Sequence, residues 1–262
     1  MIMQNAERPI GIFDSGLGGL SVLRTALRML PEERFLYYGD IANAPYGTKT
    51  EEQVYTFARA VTGRLMDQGI KALVIACNTA TAAAAAQLRA EFPDFIIVGM
   101  EPALKLAHDQ CPEGRILVLA TPVSLASEKF RRLYENYGEH AVSLPCPGLM
   151  EFVERGDTDS EELKDYLRNK FAPYLESPLA AVVLGCTHYV FLKKTVQSLL
   201  PQNTLVLDGN EGTVRQLGRR LESAGLLLNQ AMGTEKYSLS FHIDRNEPEI
   251  IARAERLMAI PE

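Results

Sequence analysis

Short apolar or β-branched runs alternate along the chain with stretches whose apolar residues recur every three or four positions. The runs fall at residues 10–13, 35–38, 72–76, 95–98, 116–119, 181–184 and 204–207. Runs this short and this continuously apolar suit strands buried on both faces, and their spacing by helical patterns predicts parallel sheets built from βαβ units. Thr50-Glu51-Glu52-Gln53 reads as a capping box, with Val54, Phe57, Val61 and Leu65 following at helical spacing and Gly69 placed to end the helix. Asp159-Ser160-Glu161-Glu162 opens a second helix with Leu163, Leu167, Phe171 and Tyr174 along one face, and Val214, Leu217 and Leu221, stopped at Gly225, mark a third. Near the C-terminus Tyr237, Leu239, Phe241 and Ile243 alternate with Ser238, Ser240 and His242, the period of a half-buried strand. The expected fold class is α/β.

An internal repeat organises these elements. The segment from Ala72 to Thr79, with Cys77 near its end, aligns with that from Ala181 to His188, with Cys186 at the same place, an offset of 186 − 77 = 109. Ile96 to Val98 and Leu205 to Leu207 keep that register, 205 − 96 = 109, and Ile12-Phe13-Asp14 pairs with Leu119-Ala120-Thr121 at 107. Three ordered matches predict two similar parallel-sheet α/β domains related by a pseudo-twofold. The first would comprise residues 1–98 plus 209–262 and the second residues 99–208, with a cleft between them.

Composition removes several function classes. The chain has 262 residues, 47% hydrophobic and 23% charged, which fits a folded core and not intrinsic disorder. Its net charge of −6, with no Lys/Arg block, gives no electrostatic footprint for nucleic acid. No apolar run approaches the roughly 20 residues that span a bilayer, so no membrane partner is expected. The N-terminus lacks the apolar stretch of a secretory signal, and four cysteines without a Cys-x-x-Cys pair do not make a disulfide scaffold. A reduced, cytoplasmic setting follows.

Chemistry concentrates at the strand ends. Cys77 and Cys186 each follow a buried-looking strand and precede a helical pattern, where a helix N-terminus favours thiolate. Two thiols on opposite walls of a cleft could act on the two faces of one tetrahedral carbon, which inversion of a stereocentre needs. A thiol suits the task because its reference pKa lies within about 1.5 units of neutrality. A redox disulfide is the rival reading, weakened by the absence of a Cys-x-x-Cys pair. Asp14 ends the first strand beside the same cleft, ahead of the glycines of Ser15-Gly16-Leu17-Gly18-Gly19, which read as a tight turn and match neither a dinucleotide fingerprint nor a P-loop. Thr121 and Ser124 occupy the corresponding edge of the second half. His188 is the one histidine of four flanked by other candidates, and no His/Cys spacing suggests a zinc site. Cys111 and Cys146 read as structural, and Glu154, after an apolar helical segment, as a solvated helix-end carboxylate.

Taken together, Phe13-Asp14-Ser15-Gly16-Leu17-Gly18-Gly19-Leu20, Asp40 with Pro45-Tyr46-Gly47, Ala76-Cys77-Asn78-Thr79-Ala80, Glu101-Pro102 and Gly185-Cys186-Thr187-His188-Tyr189 resemble the glutamate racemases of the aspartate/glutamate racemase superfamily. The resemblance implies cofactor-independent interconversion of L- and D-glutamate, with Cys77 and Cys186 as the acid/base pair. It implies Asp14, Ser15, Tyr46, Gly47, Asn78, Thr79, Thr187 and His188 around the substrate, and Glu154 in a position associated with catalysis. It also implies a bacterial enzyme that supplies D-glutamate for peptidoglycan, with glutamate as its small-molecule partner and a homodimer left open. A racemase of aspartate or a related amino acid, or a two-lobed binding protein without turnover, remain the alternatives. Val190-Phe191, Gly209 and Asn43 depart from the pattern, where Pro-Leu, Ser and Arg are usual.

Overall fold

A computed structural model describes residues 6–100, 103–229, 236–242 and 247–260. Its strands form two all-parallel sheets. The first runs β4-β3-β1-β2-β9, with β1 at Ile10–Asp14, β2 at Phe35–Gly39, β3 at Ala72–Ile75, β4 at Ile96–Gly99 and β9 at Tyr237–Phe241. The second runs β6-β5-β7-β8, with β5 at Ile116–Ala120, β6 at Ala141–Pro145, β7 at Ala181–Leu184 and β8 at Leu205–Asp208. Read from β8, the second order repeats β4-β3-β1-β2 strand for strand. The central strands β1, β3, β5 and β7 are buried throughout, as their continuous apolar runs require.

One strand escaped the sequence pattern. β6, Ala141–Pro145, lies at a sheet edge with Val142 and Ser143 half-buried and Pro145 exposed, so it shows neither alternation nor a long apolar run. Its offset from β2, 141 − 35 = 106, nevertheless fits the repeat. Glu101-Pro102 and Ile243 lie outside the described residues.

The helices are α1 Leu20–Met29, α2 Glu51–Asp67, α3 Asn78–Glu91, α4 Leu104–Gln110, α5 Pro122–Ala126, α6 Glu128–Tyr137, α7 Leu149–Glu154, α8 Glu161–Phe171, α9 Lys193–Ser198, α10 Asn210–Ser223 and α11 Glu247–Ala259. The Thr50 and Gln53 side chains and backbones bond reciprocally at the start of α2, and Ser160 caps α8. On one face of the first sheet α2 and α3 pack together, burying Val54, Ala58, Val61 and Leu65 against Ala80, Ala84 and Leu88. On the other face lie α1, α10 and α11. Here one continuous core joins Ile10, Ile12, Val22 and Leu23 to Leu217, Leu221 and Leu257, and runs on through Leu117, Leu119 and Val182 of the second sheet. Each such fully buried side chain contributes about 1.5–3 kcal/mol of burial free energy.

A buried ion pair ties the segment after α10 to the base of the first sheet. Lys71 Nζ sits 2.6 Å from Glu33 Oε2 with both side chains 1% exposed. Lys71 also donates to the Leu226 carbonyl at 2.9 Å, while the Leu228 N–H donates to Glu33 at 3.0 Å. The extra hydrogen bonds offset the desolvation that a lone buried pair would incur. Among the described residues no helix is long and apolar enough to cross a membrane.

Candidate active site

Both sheets deliver residues from the carboxyl ends of their strands to a common seam, the usual place for a site in parallel α/β folds. Cys77 follows β3 and caps α3, its Sγ accepting from the Ala80 N–H at 3.4 Å. The Ser15 hydroxyl lies 3.6 Å from that sulfur. Burial first, then the neighbouring Asp14 carboxylate, push the Cys77 thiol up to about 12, against the Ala80 and Ser15 donors. Cys186 is near enough to act on it electrostatically. All four cysteines are unpaired.

Cys186 follows β7, but no α-helix starts there. The chain enters a 3-10 turn, His188–Leu192, before α9. Positive charge on this side comes from a side chain instead of a helix end. His188 Nδ1 lies 3.8 Å from Cys186 Sγ, and Nε2 meets Glu154 Oε1 at 2.5 Å. Burial alone would lower His188, but the Cys186 sulfur and the Glu154 carboxylate outweigh it and hold the imidazole well above its ordinary value. Burial would raise Glu154, yet the His188 bond and charge, the Leu17 N–H and Arg253 bring it below. Glu154 is therefore not the solvated helix-end carboxylate that its local sequence suggests.

Asp14 is fully buried at the seam. Its carboxylate accepts from the Gly19 N–H at 2.7 Å and the Gly16 N–H at 3.2 Å, with a longer contact to Thr187 Oγ1 at 3.4 Å. Burial raises its pKa, partly offset by His188 and these N–H groups. The glycines between β1 and α1 are more than a turn. A Cβ on Gly18 would overlap the His188 ring and Thr187 Oγ1, and one on Gly16 would sit 2.7 Å from Glu154 Oε1. They are the surface on which the second half docks. The Leu17 N–H donates to Glu154 at 3.2 Å, and the Ser21 hydroxyl donates to the Thr187 carbonyl at 3.1 Å.

The remaining candidates gather at the same seam. Tyr46 and Gly47 lie in a 3-10 turn, Tyr46–Thr48, packed on α3 and α5. Tyr46 donates to buried Asp40 at 2.5 Å, and Asn43 Nδ2, standing where Arg is usual, donates to both Asp40 oxygens at 3.0 Å. His242 from the end of β9 completes that cluster at 2.7 Å. Thr121 caps α5 and donates to Ser124 at 2.9 Å, which in turn meets Thr79 at 3.4 Å. Asn78 Oδ1 is buried without a partner and borders a 30 Å³ cavity shared with Ser124 and Gly185, room for about one water. A 1360 Å³ cavity elsewhere is lined by none of these candidates. Sequence reasoning missed Leu17, Arg253 and the Asp40 cluster's tie to His242, whose partners are distant in the chain.

Comparison with known proteins bears on this arrangement. Residues 11–217 match the family described as Asp/Glu/Hydantoin racemase. A glutamate racemase of Clostridium perfringens (strain 13 / Type A) is 44% identical over 254 residues, covering 96% of each chain. Among solved structures, the glutamate racemase of Thermus thermophilus in complex with beta-chloro-D-alanine is 36% identical, with TM-score 0.78 and coverage of 98% and 95%. That of Francisella tularensis, in complex with D-glutamate, is 25% identical, with TM-score 0.81 and coverage of 97% and 94%. An isomerase by this kinship, the chain belongs to the Asp/Glu/Hydantoin racemase family.

Proposed function

We propose that this protein interconverts L- and D-glutamate by two proton transfers, one through Cys77 and one through Cys186. The observation that carries the reading is a pair of unlinked thiols at matching strand ends of two matching sheets, each with its own polar escort. The names of the relatives and the D-glutamate held by the Francisella enzyme support glutamate as substrate. The seam would separate a first domain of residues 1–98 and 209–262 from a second of residues 99–208.

In one direction the Cys186 thiolate takes the α-proton as a proton, leaving the electron pair on the α-carbon and its carboxylate. The Cys77 thiol then delivers its own proton to the opposite face and becomes the thiolate; the reverse reaction exchanges the roles. An α-proton between carboxylate and ammonium is very weakly acidic, so thiols alone do not suffice. The Asn78 amide, the hydroxyls of Thr79 and Thr187 and N–H groups at the start of α3 are suited to hold the carboxylate and disperse the developing charge. Asp14 and Ser15 face the ammonium, while Tyr46, Gly47 and Thr121 close the far end. His188, backed by Glu154, serves the Cys186 side. No cofactor takes part. D-Glutamate made in the cytoplasm would feed peptidoglycan synthesis, and a homodimer is the assembly consistent with the reading.

The test is incubation with L-glutamate in deuterated buffer, following the α-proton by NMR alongside optical rotation. Rotation should decay to zero, with deuterium entering the product enantiomer before the recovered substrate. Binding without exchange overturns the reading, and faster turnover of aspartate than of glutamate overturns the substrate.

A further inference from the structure

Helix α11 carries a charged side chain to the opposite half. It docks on α1 through Ala254 and Leu257, both buried, and Arg24 bonds the carbonyl of Leu257 near its end. From that platform Arg253 Nη1 donates to the backbone carbonyl of Glu154 at 3.1 Å, across 99 residues of sequence. Glu154 is the last residue of α7, whose terminal carbonyls have no partner within the helix. A six-residue helix is too short to hold itself in place, so its geometry depends on outside anchors. A guanidinium at a helix C-terminus supplies both a donor and a favourable charge. The carboxylate of the same residue receives the Leu17 N–H and His188.

We propose that Arg253 is a positioning residue of the active site: by gripping the end of α7 it fixes the Glu154 carboxylate, and through it the orientation of His188 beside Cys186. The inference rests on the assignment of Cys186, His188 and Glu154 to proton transfer. It makes the C-terminal helix a structural partner of one catalytic wall and leaves the other, at Cys77, independent of it. Glu249 pairs with Arg253 one turn back along the same helix, on the more exposed side.

The test compares R253M, R253K, E249Q and H188N in the full-length protein. R253M should lower kcat by about tenfold to a hundredfold with KM changed less than about threefold, as expected when a proton-transfer group is misplaced and substrate binding is kept. Because Arg253 adds to His188 and the Leu17 N–H in lowering Glu154, its loss should also move the acidic limb of the rate profile to higher pH, and the His188 imidazole resonances should shift in the NMR spectrum. R253K should restore part of kcat, and E249Q should stay close to wild type. The proposal is overturned if R253M keeps kcat within twofold, or if R253M and E249Q lose activity equally and in step with Tm. If H188N is fully active, the proton-transfer assignment itself fails. An inactive H188N beside a wild-type-like R253M refutes only the role of Arg253.

Discussion

Cys77 and Cys186 end equivalent strands, yet the two halves hold them by different means. On the first wall the sulfur caps a 14-residue helix, is buried, and has a backbone N–H, a hydroxyl and a nearby carboxylate as neighbours. On the second the helix is missing, and a histidine backed by a carboxylate stands in its place. Duplicated topology reproduced the position of the thiol but not its electrostatics. On the first wall burial pushes the Cys77 thiol up to about 12, while on the second an imidazole held well above its ordinary value stands 3.8 Å from the other sulfur. Burial alone does not mark a functional thiol, for Cys146 is also pushed up to about 12 and merely donates to the Leu144 carbonyl.

The comparison breaks outright if either wall is dispensable. Cys77→Ala and Cys186→Ala should each reduce racemisation in both directions by about 10³-fold or more, in line with the loss of an acid/base group. Equilibrium binding of glutamate should survive, and near wild-type turnover by either variant would refute the assignment.

A subtler outcome tests the asymmetry. His188→Asn should lower kcat/KM by about 10²-fold, and equally both ways, because enantiomers have the same free energy. The difference between walls then appears in the primary deuterium isotope effect. It should grow in the direction that uses Cys186 as base and shrink in the other, where reprotonation by Cys186 becomes limiting. Equal effects in both directions would mean that His188 serves the two thiols alike.

The histidine–carboxylate pair should also leave a pH signature in stability. His188 lies above its ordinary value, so its contribution is complete at low pH and is lost as pH rises through the raised value. Glu154 lies below its own, so its contribution holds above the ordinary carboxylate range and fades as pH falls through the lowered value. The Tm difference between wild type and His188→Asn should therefore peak between those limits and narrow outside them. A flat difference would show that the pair is not charged. The smallest effect belongs to the matched control, Cys146→Ala, which should cost about 1–2 kcal/mol in denaturant unfolding and leave kcat unchanged.

What the amino-acid sequence determined by itself is whatever a local period or a local repeat encodes. The buried strands β1, β3, β5 and β7 announce themselves because their side chains, Asp14 at the end of β1 excepted, are all apolar. Thr50 and Ser160 mark helix starts because their hydroxyls serve N–H groups three residues on. The 109-residue offset places Cys77 and Cys186 at equivalent strand ends without any coordinates. Edge strand β6 was lost because an edge needs no regular burial. Glu154, Gly16, Gly18 and Arg253 acquire their meaning only once the halves are docked. Glu154 reads locally as a surface carboxylate, and becomes the partner of His188 and Leu17 because two sheets meet at one particular distance and angle. That distance is set by the shared core of α1, α10 and the second sheet, a sum of many contacts between residues far apart in the chain, and no local pattern can carry it.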